Sequence, residues 1–157
     1  MNIEDIEKDI YSSFASIAST IGYSEIHGRT IAALMVSGGK LSLQELSEKT
    51  GYSISTLSLS LDLLEFFGMI KKIKNAGDRK LYLELHSDLL EGLKKAFIVK
   101  IQKSVTDSLN RFKKYKENLN NSKDKNKIKV INALNILEEE IQRLDKYINL
   151  LSKLKLQ

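Results

Sequence analysis

The apolar positions of the chain fall into three zones with different periods. Between residues 3 and 21, Ile3, Ile6, Ile10, Phe14, Ile17 and Ile21 recur at steps of three or four. That spacing draws one stripe on an amphipathic helix, which Gly22 brings to a stop. Residues 87–155 return to the same period. Leu90, Leu93, Phe97, Ile101, Val105, Leu109, Phe112 and Leu119 mark one stretch. Ile131, Leu134, Leu137, Ile141, Leu144, Ile148, Leu151 and Leu154 mark a second, after a break at Asn120-Asn121-Ser122-Lys123-Asp124. About 30 residues of helix extend roughly 45 Å, more than a small compact domain requires. A narrow stripe of that length predicts a coiled-coil-like seam, favouring dimerisation over a hairpin that satisfies itself.

The middle zone, residues 24–86, alternates shorter elements. Residues 26–36 read as a helix with Ile31, Leu34 and Met35 inward, closed by Ser37-Gly38-Gly39. Lys40-Leu41 is long enough only for a bridge strand. Ser42-Leu43-Gln44-Glu45 then has the form of a capping box, in which hydroxyl and carboxylate satisfy each other's free amides. The helix it opens turns Leu43 and Leu46 inward and ends at Gly51. Ser53 caps the next helix, which runs to about Phe67 with Ile54, Leu57, Leu61 and Leu64 at inward spacing, and Gly68 terminates it. Residues 69–75 and 80–85 alternate as strands around the turn Ala76-Gly77-Asp78-Arg79.

A short helix, a tight turn, a longer helix and a basic hairpin make a winged helix-turn-helix. The expected fold is therefore mostly α with a small β-hairpin wing, joined to long helices that form a dimerisation region. Three segments are expected: an N-terminal helix (1–23), a winged helix-turn-helix domain (24–86) and a long helical hairpin (87–157).

A helix of about 10–12 Å diameter enters the roughly 12 Å major groove of DNA. On the second helix, capped by Ser53, the outward face near the start reads as Ser55, Thr56, Leu59 and Ser60, with Ser58 at the crossing of the two helices. Hydroxyls donate or accept at several bases, and Leu59 suits a thymine methyl. No Arg, Asn or Gln stands there to make bidentate base contacts, so the sequence readout is modest. Serine is also a poor helix former away from caps. The run Ser53, Ser55, Thr56, Ser58, Ser60 thus weakens this helix with no gain in stability, as a DNA-facing surface would explain. Lys71, Lys72, Lys74, Arg79 and Lys80 surround the hairpin against the single acid Asp78, a local excess of four. Such a wing suits phosphates and a narrow A·T-rich minor groove, with Gly77 and Asp78 supporting the turn and Asp78 placed to hold the Arg79 guanidinium.

Composition removes other classes. The chain has 157 residues, 42% hydrophobic and 29% charged, with no Cys and two His. A core can form, intrinsic disorder is disfavoured, and thiolate sites are excluded. His27 and His86 lie far apart in sequence, with no nucleophile, paired carboxylates or phosphate loop beside them. Neither an enzyme nor a cofactor is expected. No apolar run nears the 20 or so residues of a membrane span, and the acidic start Asn2-Ile3-Glu4-Asp5 is unlike a signal peptide, so a cytoplasmic location is expected. The net charge of +5 divides as −3 over residues 1–23, +1 over 24–86 and +7 over 87–157. The excess clusters at Lys103, Arg111, Lys113, Lys114, Lys116, Lys123, Lys125, Lys127 and Lys129, where a solvated loop and a surface for DNA or an acidic partner are both open readings.

The segments Ile21-Gly22-Tyr23, Gly28-Arg29-Thr30-Ile31, Leu43-Gln44-Glu45-Leu46, Gly51-Tyr52-Ser53, Ser55-Thr56-Leu57-Ser58, Gly68-Met69-Ile70 and Gly77-Asp78-Arg79-Lys80 together resemble the MarR-type winged-helix transcription regulators. The start of this region and its Gly-Asp-Arg-Lys wing are most similar to the GbsR-like branch. The resemblance covers residues 20–86. It implies a homodimer held by the terminal helices, with two recognition helices in successive major grooves of a palindromic or pseudo-palindromic site. It also implies residues 53–60 at the groove, Arg79 at the wing tip and a small-molecule effector, which no residue here identifies. The competing reading is a winged-helix protein-interaction module within a larger assembly, without site-specific DNA binding.

Overall fold

The computed structural model describes residues 2–155; Met1, Leu156 and Gln157, at the ends of the first and last expected segments, lie outside them. The elements follow in the order α1 (Ile3–Thr20), α2 (Glu25–Val36), β1 (Lys40–Ser42), α3 (Leu43–Thr50), α4 (Ile54–Phe66), β2 (Ile70–Lys74), β3 (Leu81–Leu85), α5 (Leu89–Asn120) and α6 (Lys127–Lys153). The chain is mostly helical with one small antiparallel sheet, the winged helix-turn-helix fold with long helices. It divides into two compact units, Met1–Leu93 and Lys94–Gln157, so α1 groups with the winged helix.

In the first unit the sheet order is β1-β3-β2. The bridge strand pairs Leu41 with Leu83, and the hairpin pairs Ile70 with Leu85 and Lys74 with Leu81. Leu34, Leu46, Leu57, Leu61, Ile70 and Leu83 are fully buried, one or two from each of α2, α3, α4 and the sheet. Burying each such side chain contributes about 1.5–3 kcal/mol, so this shared core fixes α4 against the sheet that carries the wing.

α1 buries a different face from the one its isoleucines draw. Tyr11, Ala15 and Ala18 are buried, whereas Ile3 is 78% exposed and Ile6 and Ile17 about half. The cause lies in α2. A Cβ on Gly28 would sit 2.1 Å from the Phe14 carbonyl oxygen and 2.7 Å from the Ala15 nitrogen, so the two backbones nearly touch there. The small Ala15 and Ala18 pack at that crossing with Tyr11 a turn away, and the isoleucines are left on the flank. Met35 departs from expectation as well, being 46% exposed at the end of α2.

The second unit is an antiparallel hairpin of α5 and α6. Gln102 Nε2 donates to Asn149 Oδ1 at 3.4 Å, and Lys116 Nζ pairs with Glu138 and reaches Asn135 Oδ1 at 3.3 Å. Leu134 and Ile148 are buried on α6. Val130, Leu137, Leu144 and Leu151, seven residues apart, are 36–50% exposed. Within one chain, half of the α6 stripe thus lies uncovered. Among the described residues, no helix is long and apolar enough to cross a membrane.

Candidate nucleic-acid interface

The start of α3 is locked as the sequence predicts. Glu45 N donates to Ser42 Oγ at 3.2 Å, while the Glu45 carboxylate accepts from Ser42 N at 2.7 Å and from its hydroxyl at 2.6 Å. These bonds, the hydroxyl first, hold the Glu45 carboxyl below the ordinary glutamate range. Gly51 closes α3 in the left-handed conformation, φ +75°, and three residues later α4 begins.

Ser53 spends its hydroxyl on the helix start: Thr56 N donates to Ser53 Oγ at 3.2 Å, and the two hydroxyls lie 2.7 Å apart. Ser55, Thr56 and Leu59 are exposed, Leu59 by 82%. Ser60, expected on this outward face, is instead buried at 6% exposure and donates to the Leu57 carbonyl at 2.8 Å. Its place outside is taken by Ser58, which is exposed and donates to the Ile54 carbonyl at 2.8 Å. The roles assigned to these two serines are therefore exchanged: Ser60 is the small residue packed inside, and Ser58 faces out. Ile54, expected inward, is 43% exposed. The outward line of α4 runs Ser55, Leu59, Asp62, Phe66 at steps of four, three and four, with Phe66 72% exposed. Asp62 and Phe66 were not among the expected site residues. The same helical spacing, followed past Ser60, points to both.

In the wing, Gly77 turns at φ +84°. Asp78 holds the turn, but not through Arg79. Its Oδ1 accepts from Lys80 N at 2.9 Å and its Oδ2 from the Tyr82 hydroxyl at 3.0 Å. The Lys80 amide first, then the Tyr82 hydroxyl, keep the Asp78 carboxyl below its usual range, and Asp78 in turn raises the Tyr82 phenol. Lys40 Nζ stands 5.6 Å from the centre of the Tyr82 ring, so β1 also braces the wing. Both oxygens of Asp78 are engaged, and the expected Asp78–Arg79 pair does not form.

The wing lysines divide into two kinds. Lys71, Lys74, Arg79 and Lys80 are exposed, and no ion pair involves them among the described residues. Lys72 differs. Its ammonium pairs with Asp62 and lies 3.3 Å from Glu65, both on α4, and its backbone N donates to Glu65 Oε1 at 3.2 Å. The hydrogen bond to Asp62 is the main reason its ammonium is held above the ordinary lysine range. Lys72, expected to serve phosphates with the others, is committed to the acidic pair on α4.

One groove of about 490 Å³ between α4 and the wing is lined by Ser58, Leu61, Asp62, Lys72, Lys74 and Leu81; Ser55, Thr56, Leu59, Lys71, Arg79 and Lys80 are not among its lining residues. His27, whose imidazole is kept below its ordinary value by burial, lies apart from it beside Tyr23, with Nδ1 3.1 Å from the Ser24 carbonyl. No group of three His, Asp or Glu able to hold a metal occurs among the described residues.

No family model and no curated protein matches the sequence. Among solved structures, the organohalide-sensing transcriptional regulator RdhR in its ligand-free form aligns with 98% of this chain and 84% of its own at 17% identity and a TM-score of 0.43. A crystal structure described as that of a transcriptional regulator aligns at 16% identity, with a TM-score of 0.60, over 91% of this chain and 92% of that one. Winged helix and long helices alike, the chain has the fold of that regulator.

Proposed function

We propose that this protein is a cytoplasmic, MarR-type transcription regulator of the GbsR-like branch that binds double-stranded DNA as a homodimer. In this reading α4 enters the major groove, Ser55, Thr56 and Leu59 meet base edges, and Ser53 fixes the start of the helix. Lys71, Lys74, Arg79 and Lys80 meet the backbone and the adjoining minor groove. The observation that carries the reading is the shared groove. Asp62, on the outward line of Ser55 and Leu59, and the unpaired wing cation Lys74 line one cleft, so α4 and the wing face a common surface, as a fold that reads bases and grips phosphates together requires.

The test is a titration of variants against a selected site and a scrambled duplex at two salt concentrations. Thr56→Ala or Leu59→Ala is expected to cost about 1 kcal/mol on the selected site and little on the scrambled one, since neither contact is bidentate. Lys71→Ala or Lys74→Ala should weaken both duplexes alike and lower the salt slope by about one. Arg79→Ala should lose most where the flanking step is A·T-rich. The selected site should contain half-sites about 10 bp apart. If none of these variants differs from the parent, α4 and the wing do not read DNA.

Dimerisation is supported by the uncovered apolar faces, Ile3, Ile6 and Ile17 on α1 and Val130, Leu137, Leu144 and Leu151 on α6. Light scattering is expected to give twice the chain mass of 17.8 kDa; the single-chain mass would remove the dimer from the reading. The charge of the first unit favours a second reading, the protein-interaction module. Met1–Leu93 holds nine basic and thirteen acidic residues, and a net negative unit repels a polyanion at long range.

A further inference from the structure

The chain's positive charge is concentrated in a small part of it. Residues 111–130, the end of α5, the linking loop and the start of α6, hold eight basic and two acidic residues. Their excess of six is larger than the +5 of the whole protein. Two of the eight are used internally. Lys116 pairs with Glu138, and Lys127 Nζ donates to the Ser122 carbonyl at 2.9 Å, closing the loop. Arg111, Lys113, Lys114, Lys123, Lys125 and Lys129 are exposed, and no ion pair involves them among the described residues. Asp124 Oδ1 is occupied by Asn126 N at 2.7 Å, and Glu117 is the other acid in the segment. Six cations held this close repel one another, which an anionic partner would relieve.

We propose that this end of the helical hairpin is a second, sequence-independent site for the phosphate backbone of double-stranded DNA. Lysine-rich surfaces suit phosphates as point charges, whereas protein interfaces are depleted in lysine. A bilayer is a poorer match. Val130 belongs to the seven-residue stripe of α6, which leaves Tyr115 and Ile128 as the large apolar side chains well exposed at this end. Two such residues fall short of the apolar face that seats a helix in a membrane interface. Duplex DNA presents one charge per about 1.7 Å of axis, so about 15 Å of α5 from residue 111 to 120 can face several phosphates at once. The site uses none of the residues of α4 or the wing, and it stands whether or not α4 reads sequence.

The experiment titrates the full-length protein and its Lys113→Gln/Lys114→Gln/Lys123→Gln/Lys125→Gln variant with a random 20-bp duplex between 50 and 300 mM salt (conditions of about this range keep the slope measurable). Four lost phosphate partners should lower the salt slope by about 3.6 and weaken binding at 0.1 M salt by at least about 100-fold. The corresponding Lys→Arg variant should bind like the parent. Each single Lys→Gln change should remove about one unit of slope, and helicity and the urea midpoint should not move, because the side chains are exposed. The proposal is overturned if the parent does not bind random duplex, or if the glutamine variant keeps the parental slope. It is equally overturned if the four changes abolish binding to phosphatidylglycerol vesicles or to polyglutamate and leave duplex binding intact.

Discussion

Replacing Gly28 with alanine is expected to destabilise the protein by about 2 kcal/mol or more, although the same change at an exposed helix position stabilises by about 1 kcal/mol. The added methyl would lie 2.1 Å from the Phe14 carbonyl oxygen, 2.4 Å from its carbon and 2.7 Å from the Ala15 nitrogen. All three are backbone atoms, so no rotamer change relieves the overlap. α1 has to withdraw by about an ångström, which uncovers Ala15 and Ala18 and loosens Tyr11. Overpacking of this kind costs about 1–3 kcal/mol and occasionally more, and a backbone clash belongs at the upper end. Urea unfolding monitored by circular dichroism measures it. A raised midpoint would mean that α1 and α2 do not cross this closely.

Lys72→Met is expected to weaken binding to any duplex about tenfold, equivalent to about 1.4 kcal/mol, without reducing the salt slope. The loss does not come from a missing phosphate contact. It comes from Asp62 and Glu65, which would stand without their counter-charge on the edge of the groove where phosphates are proposed to pass. Adding Asp62→Asn and Glu65→Gln to the same chain should restore parental affinity or better. Lys74→Ala makes the comparison, since it should lower the slope by about one and gain nothing specific from those two changes. A slope that falls by one in Lys72→Met as well would return Lys72 to the phosphate contacts.

Lys72 also shows where a sequence stops being informative. Its pairing joins residues ten and seven apart in sequence, on two different elements, and no local pattern records which face of β2 turns toward α4. The serines of α4 are a different case. At about 100° per residue, Ser60 and Ser58 each lie about 80° from the centre of the Ile54, Leu57, Leu61, Leu64 stripe, on opposite sides of it. The wheel alone therefore leaves them tied, and the fold breaks the tie by leaving Ile54 43% exposed, which moves the buried centre toward Ser60. α1 lies between these cases. Its isoleucine stripe is real, but burial went to Tyr11, Ala15 and Ala18 because of a glycine on another helix. A glycine inside a helix, where it costs about 1 kcal/mol, was the available sign of a close crossing. Caps and turns are legible in the sequence, since Ser42 with Glu45, Gly51, Ser53, Gly68 and Gly77 act through neighbours two to four residues away. For Asp78, adjacency in sequence points to Arg79, whereas the strand pairing brings the Tyr82 hydroxyl to the same carboxylate.

The uncovered stripe of α6 has a geometric consequence. Val130, Leu137, Leu144 and Leu151 repeat every seven residues, whereas two turns of a straight helix take slightly more than seven. Each interval therefore drifts by about 20° around the helix surface. Across the three intervals the line slants by about 60°, and a straight rod laid along α6 would lose the stripe before reaching its end. Any helix that covers it along its whole length has to wind around α6 in a left-handed sense.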